Sequence, residues 1–361
     1  MGDRGITYGL KGQARALVPQ QGDKDRHRWL VGTNALREEN EVQVLEFDSE
    51  EDTVRCAESY RHGPEIWSIT PSPADPDALI TVYNEGGTFR STLWRLSART
   101  SQLQQQTELT GHTGVIRAVI WHPLAEPALL SIEEGRLRKW ALRDAGAEMV
   151  ADASAGDLYQ LWGGAWDPHD TNRLCTAGGN NIQLWDLRTL KKTGEIEGAH
   201  YMPVRDIDFA HRHEHQIVSG GDDCKLRFWD LRAGSAAKPL LELGGHSHWI
   251  WQTRYSPFHD QMVLSASSDA LVNLWYTPSI SSGPSSTGHV KPAQSANSSP
   301  ARASFVKEPH DGKVRSYDDH EDSVYSVAWS AADPWVFASL SYDGRVAVNR
   351  VPSQIKYKIL I

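Results

Sequence analysis

Two stretches of equal length, HYMPVRDIDFAHRHEHQIVSGGDDCKLRFW (residues 200–229) and HSHWIWQTRYSPFHDQMVLSASSDALVNLW (residues 246–275), decide the fold. A His opens each stretch and a Trp closes it. Between them, segments rich in β-forming residues alternate with turns rich in Gly, Asp and Ser. The two stretches therefore predict two copies of one unit built from short β-strands.

The closing Trp recurs along most of the chain. Similar strand-like segments contain Trp residues that are 46, 45, 44 and 46 residues apart, at Trp94, Trp140, Trp185, Trp229 and Trp275. A period near 45 residues is that of one four-stranded propeller blade. The repeat therefore accounts for part of an unusually high Trp content, 14 residues in 361.

Counting these units predicts seven blades. Five of them begin near a His, at His62, His112, His200, His246 and His320. Blade 1 is degenerate, with four short strands expected within residues 13–59, and blade 4 lacks the His and starts near Leu161. We therefore predict an all-β fold, a seven-bladed propeller that occupies residues 1–361 as a single domain.

The units resemble the WD40 repeat family, in which His, Ser or Thr, Asp and Trp form a hydrogen-bonded tetrad. Two blades contain all four residues, and the last has three, because Asn349 replaces its Trp: His200, Ser219, Asp223, Trp229; His246, Ser265, Asp269, Trp275; His320, Ser339, Asp343. A buried polar network of this kind fixes loop geometry. Because the same set recurs in several blades, we interpret it as structural and predict that the protein is not an enzyme.

The spacing also predicts one insertion. The distance from Trp275 to Asn349 is 74 residues, and residues 278–312 are dense in Ser, Pro, Ala and Gly. Such a segment buries too little apolar surface to offset its ordering entropy, so we expect a disordered insertion between blades 6 and 7. The alternating tail, residues 355–361, is expected to form the outer strand of blade 7, which would make an N-terminal closing strand unnecessary.

Composition excludes several functions. The formal net charge of −9 argues against a nucleic-acid binder that relies on a basic surface. No run of 18 apolar residues predicts a membrane span, so we expect no direct membrane insertion. The three Cys are too scattered for a zinc site, and the His-rich stretch at 211–215 has no Cys partner, so no metal or other cofactor is expected.

One face of the ring is the candidate partner-binding surface. In WD40 proteins the residue five positions after the blade His points to the top surface. That position gives five candidates, Trp67, Arg117, Arg205, Trp251 and Tyr325, and its equivalent in blade 4 gives Trp162. The residue before the tetrad Asp in blades 5, 6 and 7 gives three more: Asp222, Ser268 and Tyr342. Aromatic residues and Arg dominate binding hot spots. The alternative is that Trp67, Trp162 and Trp251 only pack between neighbouring blades.

A second candidate motif is Trp-Asp-Leu-Arg, which occurs at residues 185–188 and 229–232. The pair resembles motifs of the substrate receptors of cullin–RING ubiquitin ligases, in which the Arg contacts the adaptor. That resemblance would make Arg188 and Arg232 adaptor-binding residues. The alternative is that each Arg only forms an ion pair at the edge of its blade.

A narrower resemblance covers nearly the whole chain. The C-terminal stretch 321–360 with Asn349, together with shorter motifs along the chain, resembles the WD-repeat proteins that interact with the EARP and GARP tethering complexes. The shorter motifs lie at residues 8–10, 13–17, 65–67, 72–75, 204–206, 221–225 and 246–249. The insertion departs from this family, because it is rich in Ser, Pro and Ala here and acidic there.

The narrower resemblance implies a role in traffic. Its members are non-enzymatic partners of EARP and GARP subunits, and they support endosomal recycling, retrograde transport and vesicle traffic. It also implies a cytoplasmic protein, peripheral at the trans-Golgi network and endosomes, that acts as a monomeric propeller within a larger assembly. The substrate-receptor function remains the alternative.

Overall fold

Four antiparallel strands repeat seven times within the residues that the computed structural model describes, 4–154, 161–281 and 310–361. The strand β1 (Ile6–Gly9) precedes the first blade. Blades 1 and 2 comprise β2 (Ala14–Pro19), β3 (His27–Thr33), β4 (Asn40–Asp48), β5 (Thr53–Gly63), β6 (Glu65–Pro71), β7 (Ala78–Glu85), β8 (Thr88–Ser97) and β9 (Gln102–Glu108). Blades 3 and 4 comprise β10 (Ile116–Trp121), β11 (Ala128–Glu133), β12 (Arg136–Arg143), β13 (Gly146–Ser154), β14 (Leu161–Trp166), β15 (Arg173–Gly178), β16 (Asn181–Asp186) and β17 (Lys191–Ile196).

The remaining strands complete the ring. Blades 5 and 6 comprise β18 (Val204–Phe209), β19 (Gln216–Gly221), β20 (Lys225–Asp230), β21 (Leu241–Gly244), β22 (Ile250–Tyr255), β23 (Met262–Ser267), β24 (Val272–Tyr276) and β25 (Gly312–Tyr317). Blade 7 contains β26 (Val324–Trp329), β27 (Val336–Ser341) and β28 (Arg345–Arg350). The prediction of an all-β, seven-bladed propeller is confirmed, and blade 1 has the four short strands expected of it.

The hydrophobic core lies between adjacent blades, as the burial of one face of each sheet requires. Trp29 and Val31 of blade 1, for example, pack in one cluster with Leu340 and Val346 of blade 7. Trp275 of blade 6 packs in another cluster with residues of blade 5. The Trp residues that mark the period therefore fill the space between neighbouring sheets.

Polar side chains of the inner strands also connect the blades. Asp206 of blade 5 accepts a hydrogen bond from the backbone N–H of Thr253 in blade 6, at 2.8 Å. Gln252 of blade 6 accepts one from the backbone N–H of Val327 in blade 7, at 2.7 Å. The inner strands belong to separate sheets, so these side chains satisfy backbone groups that no ladder partner reaches.

Ring closure differs from the sequence-based expectation. The outer strand of blade 7 is β1, which pairs antiparallel with β28 from Ile6 opposite Val348 to Gly9 opposite Arg345. Just before it, the backbone N–H of Gly5 donates to Asp319, at 3.0 Å. The N-terminal strand therefore closes the ring, and the expectation that it is unnecessary was wrong.

The tail is a helix, α1 (Ser353–Leu360), rather than a strand. Ile355 and Ile359 lie four residues apart, a spacing that places both on one face of a helix, and both pack against the core of blades 6 and 7. The prediction of an outer strand at 355–361 was wrong because the same apolar residues fit a helical period as well as an alternating one.

The Ser/Pro/Ala-rich segment lies between β24 and β25, before the outer strand of blade 6. Its two ends are defined: Pro278–Ile280 forms a short 3₁₀ helix, and Gly312 already belongs to β25. The backbone N–H of Ser279 donates to the carboxylate of Asp311, at 3.0 Å. The rest of the predicted insertion, residues 282–309, lies outside the described residues.

Candidate partner-binding site

Each of the seven inner strands contains a β-bulge at the same place. In β18, for example, Val204 is opposite Gly221 and Asp206 is opposite Gly220, so Arg205 has no partner of its own. A bulge redirects the side chain of the extra residue. The bulged residues of blades 1 to 7 are Arg15, Trp67, Arg117, Trp162, Arg205, Trp251 and Tyr325, and we call this set the collar.

The collar alternates cationic and aromatic side chains from blade 1 to blade 6, and blade 7 adds a second aromatic residue beside that of blade 6. The guanidinium of Arg205 lies over Trp162 of the preceding blade, 4.1 Å from the ring centroid, and over Trp251 of the following blade, at 4.9 Å. The guanidinium of Arg117 also lies over Trp162, 4.5 Å from its ring centroid. Each contact is a cation–π interaction, which is strongest where water is excluded.

Arg15 of blade 1 contacts aromatic rings of three other blades. Its guanidinium lies 4.9 Å from the ring centroid of Trp67, 4.6 Å from that of Tyr325 and 5.7 Å from that of Trp251. These aromatic residues belong to blades 2, 7 and 6, so the collar side chains converge on the axis of the propeller. Trp67 belongs to a blade adjacent to that of Arg15, whereas Trp251 belongs to a blade that is separated from it by blade 7.

The three companion residues support the collar from the neighbouring turns. Asp222 accepts two hydrogen bonds from the guanidinium of Arg205, at 2.6 and 2.7 Å. Ser268 accepts one from the indole N–H of Trp251, at 2.6 Å. The ring of Tyr342 packs edge-on against Tyr325, with centroids 5.6 Å apart. All nine residues identified from the sequence therefore lie in or beside one continuous group.

Sequence reasoning missed Arg15, because blade 1 has no His from which to count. A usable signal was present: Ala-Arg-Ala-Leu at residues 14–17 matches Ile-Arg-Ala-Val at residues 116–119, with the bulged Arg in the same position. It also missed Trp249, whose ring lies 6.1 Å from that of Trp251 and 5.3 Å from the guanidinium of Arg205.

The two complete tetrads form as the motif implies. In blade 5, His200 donates from Nδ1 to Asp223 at 2.8 Å, its Nε2 lies 2.7 Å from Ser219 Oγ, and the Trp229 indole donates to that oxygen at 2.9 Å. In blade 6, the corresponding distances are 2.9, 2.7 and 2.8 Å, among His246, Asp269, Ser265 and Trp275.

The tetrad carboxylates stay ionised although they are buried. Burial alone would raise the pKa of Asp223, but the hydrogen bonds from His200 and Arg227 outweigh it and lower that pKa. The pKa of Asp269 is likewise lowered to about 2, because the bond from His246 outweighs burial. The carboxylates of both tetrads are therefore engaged in hydrogen bonds within the chain.

Blade 7 uses a different arrangement. His320 contacts Ser339 at 2.7 Å and Ser341 at 2.9 Å, and Ser341 in turn donates to Asp343 at 2.5 Å. Asp343 therefore reaches the His through a second hydroxyl instead of directly. Asn349, in the place of the Trp, donates to Asp319 at 3.0 Å, the carboxylate that also holds the N-terminal segment.

The two WDxR arginines are exposed but paired within the chain. Arg188 retains 71% and Arg232 66% of its side-chain surface, and each guanidinium bonds to the Asp two residues before it. Arg188 lies beside a groove of about 590 Å³ between blades 4 and 5. Both the ion pair and access for a partner are compatible with this geometry.

The part of the chain that the structure describes was also searched for metal sites and for membrane-spanning helices. No group of three or more His, Cys, Asp or Glu there is arranged to hold a metal ion, and the stretch at 211–215 forms no such cluster. Among the described residues, no helix is both long and apolar enough to cross a bilayer.

Comparison with known proteins agrees with the fold. A profile described as EIPR1 beta-propeller matches residues 2–275, and one described as WD domain, G-beta repeat, matches residues 312–348. The chain belongs to the EIPR1 β-propeller family. The first profile covers blades 1 to 6 up to β24, and the second covers most of blade 7.

Relatives extend over the full length of the chain. It is 38% identical to the EARP-interacting protein homolog of Gekko japonicus and 37% identical to EARP and GARP complex-interacting protein 1 of Homo sapiens, with 99% of both chains covered in each case. It is also 38% identical to the WD repeat-containing protein DWA2 of Arabidopsis thaliana, with 97% of both chains covered. Proteins that are similar to this chain over nearly their full length therefore occur in both animals and a plant.

Proposed function

We propose that this chain is a non-enzymatic scaffold that binds EARP and GARP tethering complexes and supports endosomal recycling, retrograde transport and vesicle traffic. The observation that carries the proposal is similarity over the full length to proteins named for those complexes. On this proposal the protein is cytoplasmic and peripheral at endosomes and the trans-Golgi network. It acts there as a monomeric propeller recruited through protein contacts, without nucleic acid.

We further propose that the collar and its companions are the surface that contacts the complexes. Trp, Tyr and Arg supply most of the binding energy at protein interfaces, and here they form one continuous half-buried group. Internal bonds hold several of these side chains in place before a partner arrives, so little side-chain entropy remains to be lost on binding.

Affinity purification with the tagged full-length chain tests both proposals. We expect EARP and GARP subunits to be recovered by the unchanged chain and lost from the double variant Trp251→Ala, Arg205→Ala. The matched control is Arg143→Ala, which removes an exposed Arg that is paired with Glu148 where β12 turns into β13. Thermal unfolding of all three chains separates loss of binding from loss of fold.

Two outcomes would contradict these proposals. Failure of the unchanged chain to recover any EARP or GARP subunit would overturn the function, and full capture by the double variant would overturn the assignment of the surface. The same purification tests the alternative, a cullin–RING substrate receptor. Recovery of a cullin adaptor that is lost on Arg188→Ala with Arg232→Ala would favour that function, because both side chains are accessible.

A further inference from the structure

Arg15 differs from the other two arginines of the collar in what it bonds to. Arg205 is neutralised by Asp222 and Arg117 by Glu134. Among the described residues, none accepts a hydrogen bond or forms an ion pair with the guanidinium of Arg15, which lies over three aromatic rings. A guanidinium has five N–H donors in a planar fork, so the donors of Arg15 remain available.

The other unused groups around the collar are also donors. The indole N–H of Trp67, the indole N–H of Trp162 and the Nε–H of Arg117 are buried without a hydrogen-bond partner. The nearby carboxylates of Asp222 and Glu134 are already bonded to collar arginines. Because buried donors are costly when unpaired, this site favours a ligand that brings acceptors and no donors of its own.

The net charge of the collar also favours a ligand that is an anion. Three guanidinium groups face two carboxylates at the collar, which leaves about one positive charge, although the whole chain has a net charge of −9. Burial lowers the pKa of Arg15, and the charges of Arg117 and Arg205 lower it further. A bound anion would compensate this unfavourable environment. One excess charge matches a single carboxylate, whereas an anionic membrane surface is recognised by clusters of Lys and Arg.

An exposed apolar surface at Trp249 borders the collar. Trp249, beside Trp251, is 38% exposed. Tyr201, on the corresponding loop of blade 5, is 85% exposed, and the guanidinium of Arg227 lies over its ring, 5.2 Å from the centroid. Met202 follows Tyr201 and is 46% exposed. Large apolar side chains left open next to a charged site are typical of a surface that a protein segment covers. A peptide that combines carboxylates with an aromatic side chain would satisfy both parts.

We propose that the collar binds a carboxylate from an acidic segment of the partner protein, with Arg15 as its main ligand and the Trp249 surface receiving an adjacent apolar side chain. The inference rests on the proposed function, because it assigns the chemistry of the surface that contacts the complexes. Arg15 holds the carboxylate through a bidentate pair, and the aromatic rings keep water from it.

The test uses fluorescence anisotropy with the full-length chain. The probe is a fluorescein-labelled, C-terminally amidated peptide, Gly-Glu-Glu-Phe-Glu-Glu-Gly. Two comparison peptides carry either Gln or phosphoserine in place of every Glu. We expect the Glu peptide to bind, and the Gln peptide to bind at least about tenfold more weakly, because the charge-assisted bonds are lost.

Variants of the protein make the test specific. Arg15→Gln is expected to weaken the Glu peptide at least about tenfold, and Arg15→Lys to weaken it less, because Lys keeps the charge but loses the fork. Arg143→Gln, at the end of β12 in blade 3, is the matched control and is expected to change affinity less than about twofold. Melting temperatures confirm that each variant is folded.

The outcomes are distinct. Equal binding of the Glu and Gln peptides, binding of the phosphoserine peptide alone, or no effect of Arg15→Gln would overturn the inference, as would no binding up to about 1 mM. If Arg15→Gln still captures EARP and GARP subunits while the Trp251, Arg205 double variant does not, the proposed function stands and this inference fails. If binding of the acidic peptide requires Arg15 but the unchanged chain recovers no EARP or GARP subunit, the carboxylate site stands and the proposed function fails.

Discussion

At the scale of single residues, the recurring element is a hydroxyl that accepts a hydrogen bond from the blade Trp. It occurs in five consecutive blades, including those whose tetrads are incomplete: Thr81 with Trp94, Ser131 with Trp140, Thr176 with Trp185, Ser219 with Trp229 and Ser265 with Trp275. In blade 3, where the Asp is missing, Glu133 bonds to Thr113 and Gly114 of the loop instead. The bond from the indole to the hydroxyl is therefore kept even in blades 2 and 3, where the Nδ1 of the His contacts a backbone carbonyl instead of an Asp.

The buried blade histidines predict that the protein loses stability in weak acid. Burial lowers the pKa of His62 and of His320 from 6.5 to about 4. Between these values the unfolded chain binds more protons than the folded one, so stability is complete above pH 6.5 and falls as the pH decreases towards 4. Between about pH 7 and about pH 5 the free energy of unfolding should fall by about 2 kcal/mol for each His.

Urea unfolding of the unchanged chain and of His320→Gln at both pH values checks this. The variant should be less stable near neutrality, because it loses the contacts to two serines, but its dependence on pH should be smaller by about 2 kcal/mol. Gln104→Ala, which removes an exposed side chain without an ionisable group, is the control and should leave the pH dependence unchanged. An equal pH dependence in the unchanged chain and in His320→Gln would contradict the prediction.

At the scale of secondary-structure elements, the N-terminal strand predicts that its removal destabilises the fold. Without residues 1–9, β28 becomes an open edge and Asp319 loses the backbone N–H that it accepts. The free energy of unfolding should fall by about 2–4 kcal/mol, and the truncated chain should associate through the exposed edge. Urea unfolding and light scattering measure the two effects.

The control for this truncation is Tyr357→Ala in α1. Tyr357 is exposed, so its loss should change stability by no more than about 0.5 kcal/mol. A truncated chain with the stability of the full-length protein would show that β1 contributes little to closing the ring.

These two elements also show what a sequence can and cannot predict. The blade period follows from local spacing, because β-strands and turns leave a short-range pattern. Six of the seven collar residues follow from that spacing together with the resemblance to the WD40 family. The pairing of Ile6 with Val348 leaves no such pattern, because it joins residues at opposite ends of the chain. Arg15 lies in a strand predicted correctly, yet its contacts with Trp67, Trp251 and Tyr325 depend on where four blades meet.

At the scale of the whole molecule, closure of the ring creates the collar. Its side chains come from seven separate sheets, and each contact between a guanidinium and an aromatic ring joins different blades. A change that shifts one blade therefore alters the site, even when the change lies far from it. The β1 truncation should weaken capture of partners as well as stability, because β1 holds blade 7, which supplies Tyr325.

The segment between β24 and β25 permits a last prediction about the whole ring. The contact between Ser279 and Asp311 holds its two ends together, so a short connection can replace what lies between them. A chain in which a linker of about six Gly and Ser residues replaces residues 283–308 should melt within about 2 °C of the unchanged chain. It should also capture the same subunits, since the collar is formed by inner strands.

Extending the replacement through residue 317 removes β25 and exposes β24 as an edge. This longer deletion should therefore melt at a markedly lower temperature, and it shows that the assay can detect damage to a blade. A fall of more than about 5 °C in the shorter deletion would mean that residues 283–308 stabilise the propeller, whereas loss of capture at an unchanged melting temperature would assign them a part in partner binding.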